Sequence, residues 1–321
     1  MKIIGLDIGG TKISTVYAEY NDNVNIKDKI KFDTNVSLGL ASTLDNIMHS
    51  IETLIDRHRI IDFTIGISCG GPLDAKTGTI LGPPNLPGWD NVQIVDILKK
   101  RFDVEAFLQN DADACALAEW KAGAGQGSEN LIFLTFGTGL GAGLILNGRL
   151  YSGSSGMAGE VGHIRLNDFG PVGYGKIGSF EGFCSGGGIE QLAKSVLFSK
   201  LQSGKEVKFL KDGQIDDITA KLVFEYADKG DSDALEIVKI VGEYLGKGLS
   251  ILIDILNPEK IIIGSIYARN VRLLTSSVNE VIAKEALTQS VKACEVVPAQ
   301  IGEGLGDYAA TMTAVYGMEK V

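Results

Sequence analysis

The run Phe136-Gly137-Thr138-Gly139-Leu140-Gly141-Ala142-Gly143 constrains the fold of this chain more than any other stretch. Its Gly137-x-Gly139-x-x-Ala142 spacing satisfies the dinucleotide fingerprint, which requires a strand before it and a helix opening after it. The strand is legible in Leu131-Ile132-Phe133-Leu134-Thr135. The helix is not. Gly143-Leu144-Ile145-Leu146 runs instead into Asn147-Gly148 and then Arg149-Leu150-Tyr151, which is the pattern of a hairpin. The glycines therefore belong in a tight turn between two strands, where exposed backbone N–H groups can cradle an anion. The pattern points to phosphate and away from a nicotinamide dinucleotide.

The N-terminus repeats the device. Ile3-Ile4-Gly5-Leu6 reads as a strand, Asp7-Ile8-Gly9-Gly10-Thr11-Lys12 as a glycine turn, and Ile13 to Ala18 as a second strand closed by Asn21-Asp22. One such unit is equally well a hairpin with a permissive turn. Two of them, the first carrying an acid and a lysine, favour phosphate binding by duplicated lobes facing a shared nucleotide. A chain of 321 residues accommodates two lobes of ordinary size. Its net charge of −10 speaks against a general nucleic-acid or anionic-membrane surface but says little about a local phosphate site built from backbone donors. The opening Met1-Lys2-Ile3-Ile4-Gly5-Leu6 is cut by Asp7, unlike a signal peptide, and no apolar run reaches membrane-span length. Cys69, Cys115, Cys184 and Cys294 are too scattered for a metal or redox motif and read as buried free thiols, so a cytoplasmic location is expected.

Between these turns the pattern alternates. Apolar residues at 44, 47, 48, 51, 54 and 55 share one helix face. Phe63 to Ser68 reads as a strand ending in Cys69-Gly70-Gly71-Pro72, and the proline-rich stretch from Gly82 to Trp89 as a functional loop. Val104 to Gln109 is a strand running into Asn110-Asp111-Ala112-Asp113, with a helix from Ala114 to Trp120. Strand ends that meet helix starts collect ligands in α/β proteins, although Asn110 or Asp111 there equally caps the helix. Helical patterns fill 189–255, Pro258 to Gly264 reads as a last buried strand, and Leu305 to Tyr316 as a terminal helix.

Taken in order, Asp7-Ile8-Gly9-Gly10-Thr11-Lys12, Pro84-Asn85-Leu86-Pro87-Gly88-Trp89, Asn110-Asp111-Ala112-Asp113, Gly137-Thr138-Gly139-Leu140-Gly141 and Ala158-Gly159-Glu160-Val161-Gly162-His163 resemble the sugar kinases of the ROK family. The likeness continues through Glu181, Gly264 and Leu305-Gly306-Asp307-Tyr308-Ala309, and so covers the chain. It implies an α/β, actin-like ATPase fold of the ribonuclease H-like kind, with two lobes and an interlobe cleft. The lobes are expected at 1–118, with a C-terminal helix at about 305–321 packing back on it, and at 119–304. It also implies a cytoplasmic homodimer that transfers the γ-phosphate of ATP to a sugar hydroxyl, most often the 6-hydroxyl of an aldohexose.

Residue roles carried by the resemblance follow the chemistry of phosphoryl transfer, in which the protein positions reactants, stabilises charge and receives the hydroxyl proton. Asp111 is the expected general base, and a helix N-terminus there favours its ionised form. Asn110 orients the sugar, with Glu160, His163 and Glu181 on its hydroxyls and Gly71 and Asn85 as further substrate contacts. Gly9, Gly10, Thr11, Lys12, Gly137, Thr138 and Gly139 hold phosphates, and Gly264 lies near the adenosine, although the family often has a second glycine where this chain has Ser265. Asp7 holds Mg²⁺ through water.

One departure stands out. Many family members carry a zinc site of one histidine and three cysteines, and here the cysteine positions hold Val172, Tyr174 and Ser179. No zinc is expected, since valine cannot ligate and tyrosine and serine replace thiolate poorly; packing by Tyr174 and Phe180 is expected to hold that segment. Glucose is the leading substrate, because the loop ending in Trp89 looks like that of glucokinases, with N-acetylmannosamine, fructose, allose or a glucoside as alternatives. A sugar-responsive repressor is disfavoured by the acidic charge and by a phosphate turn that begins at Asp7, leaving no helix-turn-helix ahead of it. A silent sugar-binding relative is disfavoured by the retained Asp7, Asn110, Asp111, Glu160 and His163. No nucleic-acid or membrane partner is expected.

Overall fold

The computed structural model describes residues 1–207 and 215–320 and divides the chain into two compact units. The first holds Met1–Gly127, Gly143–Ala158 and the stretch that begins at Gln300; the second holds Ser128–Ala142 and Gly159–Ala299.

The first unit is built on a mixed sheet. β1 (Lys2–Ile8) pairs antiparallel with β2 (Lys12–Asn21), and β2 pairs antiparallel with β3 (Asn23–Asp33). On its other side β1 runs parallel to β4 (Thr64–Cys69), which runs parallel to β7 (Ala106–Asn110). Between these two lie the short antiparallel pair β5 (Leu73–Asp74) and β6 (Thr79–Ile80). Ile4, Leu6 and Ile8 alternate toward one face, where Ile47, Ile51 and Leu54 of α1 (Gly39–His58) and Ile94 and Leu98 of α2 (Ile94–Phe102) share a fully buried core with them. Each such side chain contributes about 1.5–3 kcal/mol when buried. β3 is tied to the end of α1 by Asp28, whose carboxylate accepts from His58 and Arg57 and is thereby held down to about 2.

The opposite face positions the chemistry. Gly5 and Gly66 are register partners in β1 and β4, and a methyl group at Gly66 would lie 2.0 Å from the carbonyl of Ala310. The missing side chains let α11 (Leu305–Met318) lie directly on the sheet. Two residues on, the same face presents Asp7 opposite Ser68, so the opening turn of α11 meets the Asp7 carboxylate: a methyl group at Gly306 would stand 2.4 Å from its Oδ2. α3 (Asp111–Ala122) follows β7 without a linker and packs against α11.

β8 (Leu131–Leu134) opens the second unit, and the chain then returns to the first with the hairpin of β9 (Ala142–Leu146) and β10 (Arg149–Leu150). Asn147 and Gly148 form the hairpin turn with φ of 53° and 67°, both left-handed as a two-residue turn of this kind requires. In the second unit, β8 runs parallel to β13 (Lys260–Ile263), which runs parallel to β14 (Glu295–Pro298). A small hairpin of β11 (Val172–Gly173) and β12 (Lys176–Ile177) precedes α4 (Phe180–Phe183) and α5 (Gly186–Gln202). The helical layer continues with α6 (Ala220–Asp228), α7 (Ser232–Leu256), α8 (Ser265–Arg269), α9 (Val271–Glu285) and α10 (Thr288–Ala293). Gly242 and Gly246 let α7 approach α9 closely, and a methyl group at Gly246 would lie 2.7 Å from Cβ of Val281.

Several sequence expectations change. A further strand occupies 23–33, where alternate residues are half-buried although Asp28 breaks the apolar series. The helix expected from Ala114 begins at Asp111. Trp89 is 1% exposed and Leu86 fully buried, so the proline-rich loop is anchored in the first unit's core. Cys69 and Cys184 are buried residues and Cys115 and Cys294 partly buried ones, with burial still pushing the Cys115 thiol well up. The helical expectation for 189–255 resolves, among the described residues, into α5, α6 and α7 with a 3-10 turn at Ile215–Asp217; residues 208–214, and residue 321 of the expected C-terminal helix, lie outside the described residues. Among the described residues no helix is long and apolar enough to cross a membrane.

Candidate functional site

In the first unit the site grows from the β1–β2 turn. The Gly9 amide donates to the Lys12 carbonyl at 3.1 Å, while the Thr34 hydroxyl donates to the Gly9 carbonyl at 2.6 Å and the Thr34 amide to the Thr11 carbonyl at 2.9 Å. The end of β3 thus fixes the turn and leaves Thr11 and Lys12 exposed. Gly10 is a close-approach glycine: a methyl group there would lie 2.4 Å from the Asn85 carbonyl. That contact explains why Trp89 and Leu86 must be buried, since they hold the loop that brings Asn85 to the turn.

β4 and β7 end side by side, with Cys69 opposite Asn110. Just beyond Cys69, the point where a Gly70 methyl group would sit is 3.8 Å from the Asn85 amide nitrogen and 3.9 Å from Oδ2 of Asp111. The corresponding point on Gly71 is 3.2 Å from Nδ2 of Asn110. Three side chains from two separate segments therefore surround a bare glycine backbone. Asn110 is the N-cap of α3, its Oδ1 accepting from the Ala112 amide at 3.0 Å; Oδ1 of Asp111 accepts from the same amide at 2.8 Å. The cap uses the oxygen of Asn110, while its amide nitrogen lies beside Gly71.

Asp7 stands under unusual electrostatic load. Burial first, then the charges of Asp111 and Asp307, push its carboxyl up to about 6, against the opposing effects of the Ser68 hydroxyl and Lys29. Asp307 belongs to a set that sequence reading gave no role. It accepts from the Ser14 hydroxyl at 2.8 Å and from Lys29 Nζ at 2.5 Å. These groups, with Asp7, Lys12, Lys31 and Glu303, line a cavity of about 120 Å³.

In the second unit the turn after β8 is closed by its own backbone. Thr135 donates to Gly141 at 3.0 Å and Gly137 to Gly139 at 3.1 Å. The Glu160 segment lies flat against this turn because Gly159 and Gly162 lack side chains; methyl groups there would fall 1.9 Å from the Ala142 carbonyl and 2.3 Å from the Leu140 carbonyl. Glu160 and His163 are left exposed. Glu181 is bound into the same assembly, its Oε2 accepting from the Leu140 amide at 3.0 Å. Gly264 donates to Leu134, Ile266 to Phe136 and Gly186 to Gly137, at 2.9, 2.8 and 2.8 Å, so Gly264, Gly137 and the N-terminus of α5 converge. Ser265 sits at φ 53°, a left-handed conformation that glycine adopts without cost. The start of α5, capped by the Ser185 hydroxyl, was missed in sequence although Ser185-Gly186-Gly187-Gly188 advertises a helix opening with close backbone access.

The three positions where thiolates would stand do other work. Gln191 pairs with Val172 like a neighbouring strand, accepting from its amide and donating to its carbonyl, each at 3.0 Å. Ser179 is buried and caps α4. Phe180 is fully buried, but Tyr174 is 70% exposed and does not anchor the segment as expected; it packs against His163 instead. Among the described residues no group of three or more His, Cys, Asp and Glu side chains is placed to ligate a metal.

The pattern of the ROK family matches residues 3–315. The glucokinase of Halalkalibacterium halodurans is 33% identical over 308 residues, covering 94% of this chain and 92% of that protein. The xylose repressor of Caldicellulosiruptor bescii is 32% identical over 266 residues, covering 82% of this chain but 65% of the repressor. Among solved structures, a ROK family glucokinase from Streptomyces griseus in complex with glucose and AMPPNP aligns with a TM-score of 0.78 at 28% identity, over 98% of this chain and 99% of that one. The fold is accordingly the α/β fold of actin-like ATPases, and the likeness to glucokinases supports a sugar kinase. By the extent of the family match and of the shared sequence, the chain belongs to the ROK family.

Proposed function

We propose that this chain is an ATP-dependent hexose kinase with Asp111 as general base. The observation that carries the reading is the grouping of Asp111, Asn110 and Asn85 around the bare backbone of Gly70 and Gly71. It offers a carboxylate and two amides to a ligand rich in hydroxyls, each of which both donates and accepts. As the sugar oxygen attacks the γ-phosphorus, its proton passes to Asp111 and ADP leaves with the electron pair of the broken P–O bond. Asn85, Asn110 and Gly71 orient the sugar, and Glu160, His163 and Glu181 supply hydroxyl contacts. Phosphate is held at the turns Gly9-Gly10-Thr11-Lys12 and Gly137-Thr138-Gly139, which the Gly9 and Gly137 amides close through their own bonds. Gly264 serves the adenosine.

Asp7 fits Mg²⁺ held through water. Its carboxylate faces those of Asp111 and Asp307, a concentration of negative charge that a divalent cation relieves. When bound, Mg²⁺ neutralises charge on the phosphates.

Glucose is the expected acceptor, through its 6-hydroxyl, and N-acetylmannosamine, fructose, allose and glucosides are the competing ones. The likeness to a repressor keeps a non-catalytic, sugar-responsive role as the second reading. A coupled ATP-turnover assay across these sugars decides. Sugar-dependent ADP release supports the kinase; binding of sugar without turnover overturns it in favour of the second reading.

A further inference from the structure

We infer that Tyr174 is a positioning residue for sugar recognition, acting through His163. The inference rests on the reading of His163 as a sugar contact. Three observations in the second unit lead to it. The rings of Tyr174 and His163 meet edge to face, with centroids 5.3 Å apart and planes at 77°, the arrangement that aromatic quadrupoles favour. His163 is an exposed residue, and the Tyr174 ring packs against its imidazole. The backbone beneath it is pinned as well, since Lys176 Nζ donates to the His163 carbonyl at 2.6 Å. Both restraints come from one small hairpin: Tyr174 and Gly175 are the turn residues between β11 and β12, and Lys176 begins β12.

The turn itself argues that the tyrosine is placed for its ring. Tyr174 and Gly175 have φ of 43° and 75°, a left-handed pair that suits Asn-Gly or Gly-Gly and penalises a bulky side chain. A residue that is 70% exposed in a conformation it disfavours stabilises neither the turn nor a core. Strain held at an exposed position is a pointer to function, and the contact that the strained residue makes is with His163. The hairpin stays in register without help from the tyrosine, because Gln191 holds Val172 at the other end. Tyr174 is thus free to hold the imidazole plane in the orientation a sugar hydroxyl requires, where many relatives of this chain place a cysteine.

The test is a set of variants assayed with glucose or whichever sugar the panel selects. Tyr174→Asn suits the turn, so the melting temperature is expected to hold or rise while the KM for sugar rises about three- to tenfold and the KM for ATP stays put. Tyr174→Phe keeps the ring and restores the sugar KM. In a His163→Ala background the Tyr174→Asn effect disappears, because the ring then has nothing to orient. A rise of equal size in both backgrounds overturns the inference, as does an unchanged sugar KM in Tyr174→Asn. If His163→Ala alone leaves the sugar KM unchanged in an active kinase, it is the reading of His163 that fails, and absence of turnover in the unaltered protein points to failure of the kinase reading itself.

Discussion

The two units present their functional residues in opposite ways. In the first, charge is concentrated and loaded: Asp7 sits among Asp111, Asp307 and Lys29, and Asn110 and Asp111 sit at the mouth of a twelve-residue helix. In the second, Glu160 and His163 stand exposed at a single 3-10 turn held by backbone bonds and glycine contacts. Proton transfer and metal chemistry need groups whose surroundings alter their properties, and regular elements supply such surroundings. Hydroxyl recognition needs only direction, which a well-bonded loop provides. On the proposed reading, the difference places the general base in the first unit and the hydroxyl contacts of Glu160, His163 and Glu181 in the second.

The sharpest way to break that assignment is a pair of isosteric amides. Asp111→Asn keeps shape and part of the hydrogen bonding but cannot take a proton, so kcat is expected to fall about 10²- to 10⁴-fold with sugar affinity nearly intact. Glu160→Gln should act chiefly on the KM for sugar. Steady-state kinetics on both variants checks the contrast; comparable losses of kcat would erase it.

The next effect is one of stability. Asp7 has a folded-state value of about 6 against 3.8, so between those pH values the native state holds a proton that the unfolded chain has released. Stability therefore falls as pH rises from about 4 to about 6, by about 2–3 kcal/mol, and the loss persists at neutral pH. Asp7→Asn cannot ionise. It should be more stable than the unaltered protein at pH 7 by a similar amount, and less dependent on pH over that window, while losing kinase activity. Urea unfolding at pH 4, 5, 6 and 7 measures this. Equal slopes for the two proteins would show that the load on Asp7 is relieved in the native state.

Much of this comparison was legible in the chain. Both glycine turns, the Asn147-Gly148 hairpin and the strand before Gly264 follow from local patterns, because turns and short apolar strands are set by their own residues. What stayed hidden is non-local. Ser14 and Asp307 share a hydrogen bond across 293 positions, and nothing in either neighbourhood announces the other. Glu119 reads as one more charged residue on a helix, yet it is fully buried, with Oε1 accepting from the amides of Gln300 and Ile301 and Oε2 from that of Ala124. Trp89 lies in a stretch whose prolines suggest an open loop, and only the packing shows it as core. Tyr174 failed in the other direction: an aromatic residue near a buried phenylalanine suggests packing, but its left-handed φ turns it outward onto His163. The strand at 23–33 was missed for a simpler reason, since Asp28 interrupts the apolar series and its partners are on α1.

The smallest effect concerns what holds the second unit's exposed residues in place. The hairpin that carries Tyr174 and Lys176 is fastened at Val172 by the Gln191 amide, a neutral and largely exposed clamp of two bonds. Such bonds are worth about 0.5–1.5 kcal/mol each, and less where water competes. Gln191→Ala should therefore cost about 1 kcal/mol, lowering the melting temperature by about 2–4 °C. Prolonged chelation followed by restoration of excess Mg²⁺ should leave melting temperature and activity unchanged, because Val172, Tyr174 and Ser179 provide no thiolate. The two measurements belong together. If chelation lowers the melting temperature by more than Gln191→Ala does, and elemental analysis finds about one zinc per chain, a metal rather than an amide holds this hairpin. The second unit would then owe its geometry to the same kind of charge that distinguishes the first.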